Sequence, residues 1–252
     1  MYPSFPLIED KNNPNTFYGV TTYGGSNGTG VIFSISNDGS FSKLYEFNKL
    51  EATVSGGNVW KNIEGAFPSG PLVFVKGCGT KGCLYGVASA GGLNLYKTTN
   101  NSVTPVSVSY KGAGTAFRLD LSNNEVSPIR QFDSIEKLIG SDGKLTFSSN
   151  SSPYGINQGT SPTNGLIELK DHPGVLVGIT LEGGEPSGCH TEAPTNNRVC
   201  IPVSKVTGDA TDENAGLGVV YKLDTNQGDQ FEVLHSFDSS VERNTPLGRL
   251  AY

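Results

Sequence analysis

Phe17-Tyr18-Gly19-Val20-Thr21-Thr22-Tyr23-Gly24-Gly25 leads into Gly30-Val31-Ile32-Phe33-Ser34-Ile35 and then into Lys43-Leu44-Tyr45-Glu46-Phe47. Each run is short, alternates apolar with polar residues and is rich in aromatic and β-branched side chains. Gly, Asn, Asp and Ser separate the runs, which is the pattern of antiparallel strands joined by hairpins. The same order returns twice. The second pass is Leu84-Tyr85-Gly86-Val87, Gly91-Gly92, Gly114-Thr115-Ala116-Phe117-Arg118-Leu119 and Pro128-Ile129-Arg130-Gln131-Phe132. The third is Leu176-Val177-Gly178-Ile179, Gly183-Gly184, Gly218-Val219-Val220-Tyr221-Lys222-Leu223 and Val233-Leu234-His235-Ser236-Phe237. A Pro followed four residues later by Leu opens each unit, at Pro3 and Leu7, Pro68 and Leu72, Pro162 and Leu166, and Pro246 and Leu250.

Four strand-like runs per unit predict a four-stranded antiparallel sheet. Sheets repeated along a chain bury both faces by stacking on their neighbours, and stacking around a central axis gives a propeller. The expected fold is therefore all-β, a partial β-propeller of four-stranded antiparallel blades. Its repeats span 3–67, 68–161 and 162–245, and the first strand of a fourth lies at 246–252. A β-sandwich is the alternative, but compositional likeness alone would not return the same ordered markers three times. Closed rings typically hold about four to eight blades. The chain is thus expected to be part of a longer parent with further repeats, or to complete one ring as a homodimer.

With Tyr-Gly-Val-Thr at 18–21, Gly24-Gly25, Gly30-Val31-Ile32-Phe33 and a closing Phe47, the sequence resembles the GloVer (Gloeo/Verruco) tandem repeats. The third unit follows the motif through Val177-Gly178-Ile179-Thr180. The second departs from it, with Ala88-Ser89 in place of a Thr pair and an insertion from Leu93 to Lys111. The resemblance implies a propeller-like repeat of bacterial exported or surface proteins. It brings no reaction or catalytic residues with it.

Composition agrees with a β-rich globular chain: 33 Gly and 14 Pro among 252 residues argue against helices. The net charge is −6, and Lys and Arg form no stripe that could neutralise successive phosphates, so nucleic acid is excluded as a partner. No apolar run reaches the ~18 residues that would span a bilayer, and membrane insertion is not expected. The start, Met1-Tyr2-Pro3-Ser4-Phe5, has no signal-peptide character, which predicts a mature form or a fragment. The cysteines fall in two local pairs, Cys78 with Cys83 and Cys189 with Cys200. Two disulfides are the expectation, placing the protein outside the cell or at its surface, with the periplasm as the alternative compartment. Zinc held by Cys189, His190 and Cys200 is the competing reading.

No HExxH, P-loop, GxSxG or dinucleotide motif occurs. Of the three histidines, His172 reads as a turn residue, His235 as part of a strand, and His190 as a ligand-contact candidate beside a half-cystine. Asp209, Asp212, Glu213 and Asn214 could begin a calcium site, with a solvated acidic loop as the plain alternative. No other cofactor is expected. Four long connections, 49–67, 93–111, 134–161 and 185–215, carry more information than any single residue, because propeller loops build binding surfaces on a shared framework. Trp60, Tyr96, Tyr110 and Tyr154 lie in or beside them and could stack on sugars or anchor a protein. The expected function is an exported module that binds a glycan or protein partner through rim loops. A carbohydrate-active hydrolase or lyase with acids or bases from different blades is the rival, and a structural segment of a larger surface protein is the third reading.

Overall fold

The computed structural model describes residues 5–50, 52–53, 59–60, 62–92, 114–132, 145–147, 159–182, 189–192, 197–200 and 218–237. In chain order its strands are β1 (Ile8–Glu9), β2 (Thr16–Thr21), β3 (Val31–Ser36), β4 (Phe41–Glu46), β5 (Ala52–Thr53), β6 (Val59–Trp60), β7 (Ala66–Pro68), β8 (Val73–Val75) and β9 (Cys83–Ala90). They continue as β10 (Thr115–Asp120), β11 (Glu125–Gln131), β12 (Leu145–Phe147), β13 (Thr160–Glu168), β14 (Val175–Glu182), β15 (Cys189–Glu192), β16 (Asn197–Cys200), β17 (Val219–Asp224) and β18 (Gln230–Ser236). Thr225–Gln227 form a short 3-10 turn. The described residues are thus all-β, as the alternating runs predict.

Three antiparallel sheets follow one another, each a simple meander. The first is β1-β2-β3-β4 and the third is β13-β14-β17-β18. The second runs β7-β9-β10-β11, with β8 also paired to β9. Its first strand is broken at Ser69–Leu72, where Pro71 has no N–H to give to a ladder. The two pieces together correspond to β13, since Pro68 lies opposite Ala88 and Pro162 opposite Thr180. The fourth strand of each sheet carries one register irregularity, placing Leu44, Ile129 and Leu234 as the extra residues. A bulge at this point bends the strand and strengthens its twist.

The marker residues of the sequence meet at one point in every sheet. A Cβ on Gly19 would lie 2.6 Å from Leu7 Cδ2 and would also collide with the ring of Phe33. Gly86 stands in the same relation to Leu72 and Phe117, and Gly178 to Leu166 and Tyr221. The glycine in the second strand is therefore a socket, filled by an aromatic ring from the third strand and a Leu in the first strand or beside it. Close backbone approach of this kind is a structural reason for Gly inside a strand.

Between sheets the packing repeats as well. Tyr18, Val20, Ile32 and Phe47 of the first sheet form one core with Leu72, Phe74, Leu84, Phe117 and Leu119 of the second. Val75, Tyr85, Val87, Ala116 and Phe132 of the second sheet form another with Leu166, Leu176, Val219, Tyr221 and Leu223 of the third. At both interfaces the closing Phe meets the socket aromatic of the next sheet. Phe47 and Phe117 are 5.1 Å apart with rings at 70°, and Phe132 and Tyr221 are 5.2 Å apart at 57°. Burying each such side chain contributes about 1.5–3 kcal/mol relative to exposure, and tilted ring pairs add to it.

Candidate functional site: the loop-bearing rim

Antiparallel order sends the ends of the second and fourth strands of each sheet, and the starts of the first and third, to the same rim. That rim receives every long connection, 47–65, 91–114, 132–159 and 183–218. The opposite rim carries only shorter connections, among them the turns Asn37–Ser40 and Leu121–Asn124 and the 3-10 turn Thr225–Gln227. These turns close on local side-chain acceptors: Asp10 Oδ1 accepts from Asn12 N, Asp120 Oδ1 from Ser122 N and Asp224 Oδ1 from Asn226 N. Asp and Asn favour such turns because their short side chains bond the backbone two residues on. Backbone hydrogen bonds hold Asp120 below the usual carboxylate range.

The loop rim is fastened at its base. Gly30 N donates to Gly24 O and Gly114 N to Gly91 O, each at 3.1 Å. Phe47, Phe132 and Phe237 then donate their N–H groups to the carbonyls of Gly30, Gly114 and Gly218. Gly30, Gly114 and Gly218 all have φ between 92° and 113°, a conformation that favours glycine. Phe67 and Ser161, which precede the prolines of the next first strands, take φ of 57° and 55°. The left-handed turn there is local strain retained at the junction between sheets. Phe67 N donates to Thr29 O at 2.8 Å and so ties the junction to the preceding sheet.

Two insertions join each other on this rim. β12, from the connection after Phe132, pairs with β16, from the insertion inside the third unit, with Leu145, Thr146 and Phe147 opposite Cys200, Val199 and Arg198. β15 pairs on the other side of β16, giving a three-stranded sheet separate from the three meanders. His190 lies in β15 opposite Val199, and Cys189 lies directly opposite Cys200, the register a disulfide between them needs. Trp60 lies in β6, opposite Ala52 of β5. Tyr96, Tyr110 and Tyr154 lie outside the described residues, as does the acidic segment with Asp209, Asp212, Glu213 and Asn214. Among the described residues no group of three or more His, Cys, Asp or Glu is arranged to hold a metal. Among the same residues, no helix is long and apolar enough to cross a membrane.

At the opposite rim, Cys78 and Cys83 form the expected disulfide. Beside it lies a polar cluster that the sequence reading did not single out. Asp229 accepts from Tyr85 Oη at 3.2 Å and from Arg118 Nη1 at 3.1 Å. Burial holds the Asp229 carboxyl above the usual range, and the Arg118 charge opposes that shift. Burial, together with the nearby Asp229 charge, pushes Tyr85 up to about 12. Both carboxylate oxygens are engaged, and the cluster fastens a turn of the third sheet onto β9 and β10. Arg118 stands where the other units have Ser34 and Lys222, so its position in the repeat does not by itself mark the cluster.

No known protein family and no curated protein matches the chain, so the likeness to GloVer repeats rests on the motif residues quoted above.

Proposed function

We propose that the chain is an exported β-propeller repeat protein that binds a glycan or protein partner through its loop-bearing rim. One observation carries the binding reading: insertions from separate units converge on one rim and build a sheet of their own, β12-β16-β15, that the three meanders do not need. Loops on a rigid framework are where recognition residues concentrate. The disulfide between Cys78 and Cys83 supports an oxidising compartment.

The blade reading draws support from the first-strand edge. Lys11, next to β1, reaches Glu168 at the end of β13 with Nζ to Oε2 of 2.8 Å, so the first and third sheets touch across the second. Asn164 N also donates to Ser69 O at 2.8 Å. Crowding along the first strands supports a reading of the sheets as blades fanned about an axis.

The test is a glycan-array and affinity pull-down screen of the intact chain beside a variant in which 185–215 is replaced by a short Gly-Ser link. Binding that is lost in the variant, with β circular dichroism unchanged, is the expected result. No binding by the intact chain, or binding indifferent to the replacement, would overturn the reading.

A further inference from the structure

The repeat separates what the framework requires from what one unit adds. Tyr23, just before Gly24-Gly25, stands where the second and third units have Ala90 and Glu182. Phe67, just before Pro68, stands where the later units have Ser161 and Thr245 before their prolines. The junction takes the same shape with or without the aromatic ring. Its φ is 57° at Phe67 and 55° at Ser161, and the prolines that follow seat on Gly30 and Gly114 alike. The framework therefore asks for neither ring. The first junction nevertheless has both, and they pack together with centroids 5.4 Å apart and planes at 53°.

Tyr23 is 55% exposed and Phe67 is half-buried, so the pair forms a ledge open to solvent. It lies past the end of β2 and at the start of β7, on the loop-bearing rim. A bulky residue in left-handed backbone is uncommon, and residues held in such strain concentrate at ligand clamps and active sites. Neutral hydroxyls border the ledge. Thr22 Oγ1 donates to Pro68 O at 3.0 Å and Ser89 Oγ to Phe67 O at 3.2 Å, and each keeps an acceptor oxygen. Aromatic rings beside a few polar groups are the make-up of a small-ligand site. They complement a sugar, whose C–H face is apolar and whose edge is a row of hydroxyls. A protein interface takes roughly 800 Å² per partner, more than two partly exposed rings supply.

We propose that Tyr23 and Phe67 form a stacking subsite for a neutral sugar ring, with Thr22 and Ser89 placed to meet its hydroxyls. The inference rests on the rim-binding reading above and narrows the partner to a carbohydrate.

Affinity electrophoresis of the intact chain in native gels cast with mixed-linkage β-glucan, xylan or galactomannan tests it. The expected result is retardation by at least one of these neutral polysaccharides. Tyr23→Ala and Phe67→Ser install residues that the second unit and the next junction already carry, so β circular dichroism should not change. Each should raise the dissociation constant roughly tenfold, while Tyr23→Trp keeps the retardation. Retardation that survives both substitutions would overturn the subsite; if replacing 185–215 abolishes it instead, the rim-binding reading stands without the subsite. Retardation in none of the three gels would also overturn the subsite. Capture of a protein partner that depends on 185–215 would then leave rim binding standing, and its absence would remove both.

Discussion

The pyrrolidine ring of Pro68 fills the space a side chain on Gly30 would need: a Cβ there would lie 2.6 Å from Pro68 Cδ and equally close to the Thr21 carbonyl oxygen. Gly114 has the same relation to Pro162. Each pair joins one sheet to the first strand of the next. With φ of 113° at Gly30, Gly30→Ala brings left-handed strain and overpacking together. The expected loss is about 2–3 kcal/mol, read from the urea midpoint; a shift within experimental error would contradict the junction's role.

Tyr221 occupies a position held by Phe33 and Phe117 in the other sheets, and its buried hydroxyl has no hydrogen-bond partner among the described residues. An unpaired buried hydroxyl is a cost of roughly 1–3 kcal/mol. Tyr221→Phe is therefore expected to be neutral or to stabilise on the order of 1 kcal/mol. Destabilisation by a comparable amount would show that the hydroxyl is bonded in solution.

Alkaline pH is expected to weaken the fold. Burial raises Tyr45 and Tyr85 from 10.0 to about 12, with Glu64 and Asp229 adding to the effect. The folded protein keeps protons that the unfolded chain releases. This stabilisation is fully present below pH 10.0 and is lost as pH rises toward about 12. Urea midpoints measured across that window should fall, and Tyr85→Phe should make the decline shallower; a flat profile would refute the assignment.

Reducing the bond between Cys78 and Cys83, only five residues apart in sequence, removes a short-range constraint. Loop-closure entropy puts its contribution at about 2 kcal/mol. The sheets should keep their far-ultraviolet spectrum under mild reductant while the turn at 76–82 exchanges its amides faster. Collapse of the β signal would mean that the cross-link holds more than its turn.

The framework was legible because its determinants are local in sequence. Tyr-Gly-Val, Gly-x-x-Phe and Pro-x-x-x-Leu are each a few residues long, and the sockets at Gly19, Gly86 and Gly178 explain why those three signals travel together. The bulges at Leu44, Ile129 and Leu234 fall inside runs that alternate well enough to pass for regular strands. Arg118 and Asp229 are far apart along the chain, so only the packing of two sheets brings them together. The pairing of β12 with β16 was hidden for the same reason: neither insertion records its partner.

The clasp between strand-end glycines has a consequence for engineering. Gly24 and Gly30 close on a short segment, and Gly91 and Gly114 close on a much longer one with the same 3.1 Å bond. Chain-closure entropy grows only with the logarithm of length, so this difference costs about 1 kcal/mol. Foreign peptides grafted between Gly91 and Gly114 should therefore leave the register of β9 and β10 intact, making the protein a display scaffold whose passenger can change while its chassis does not.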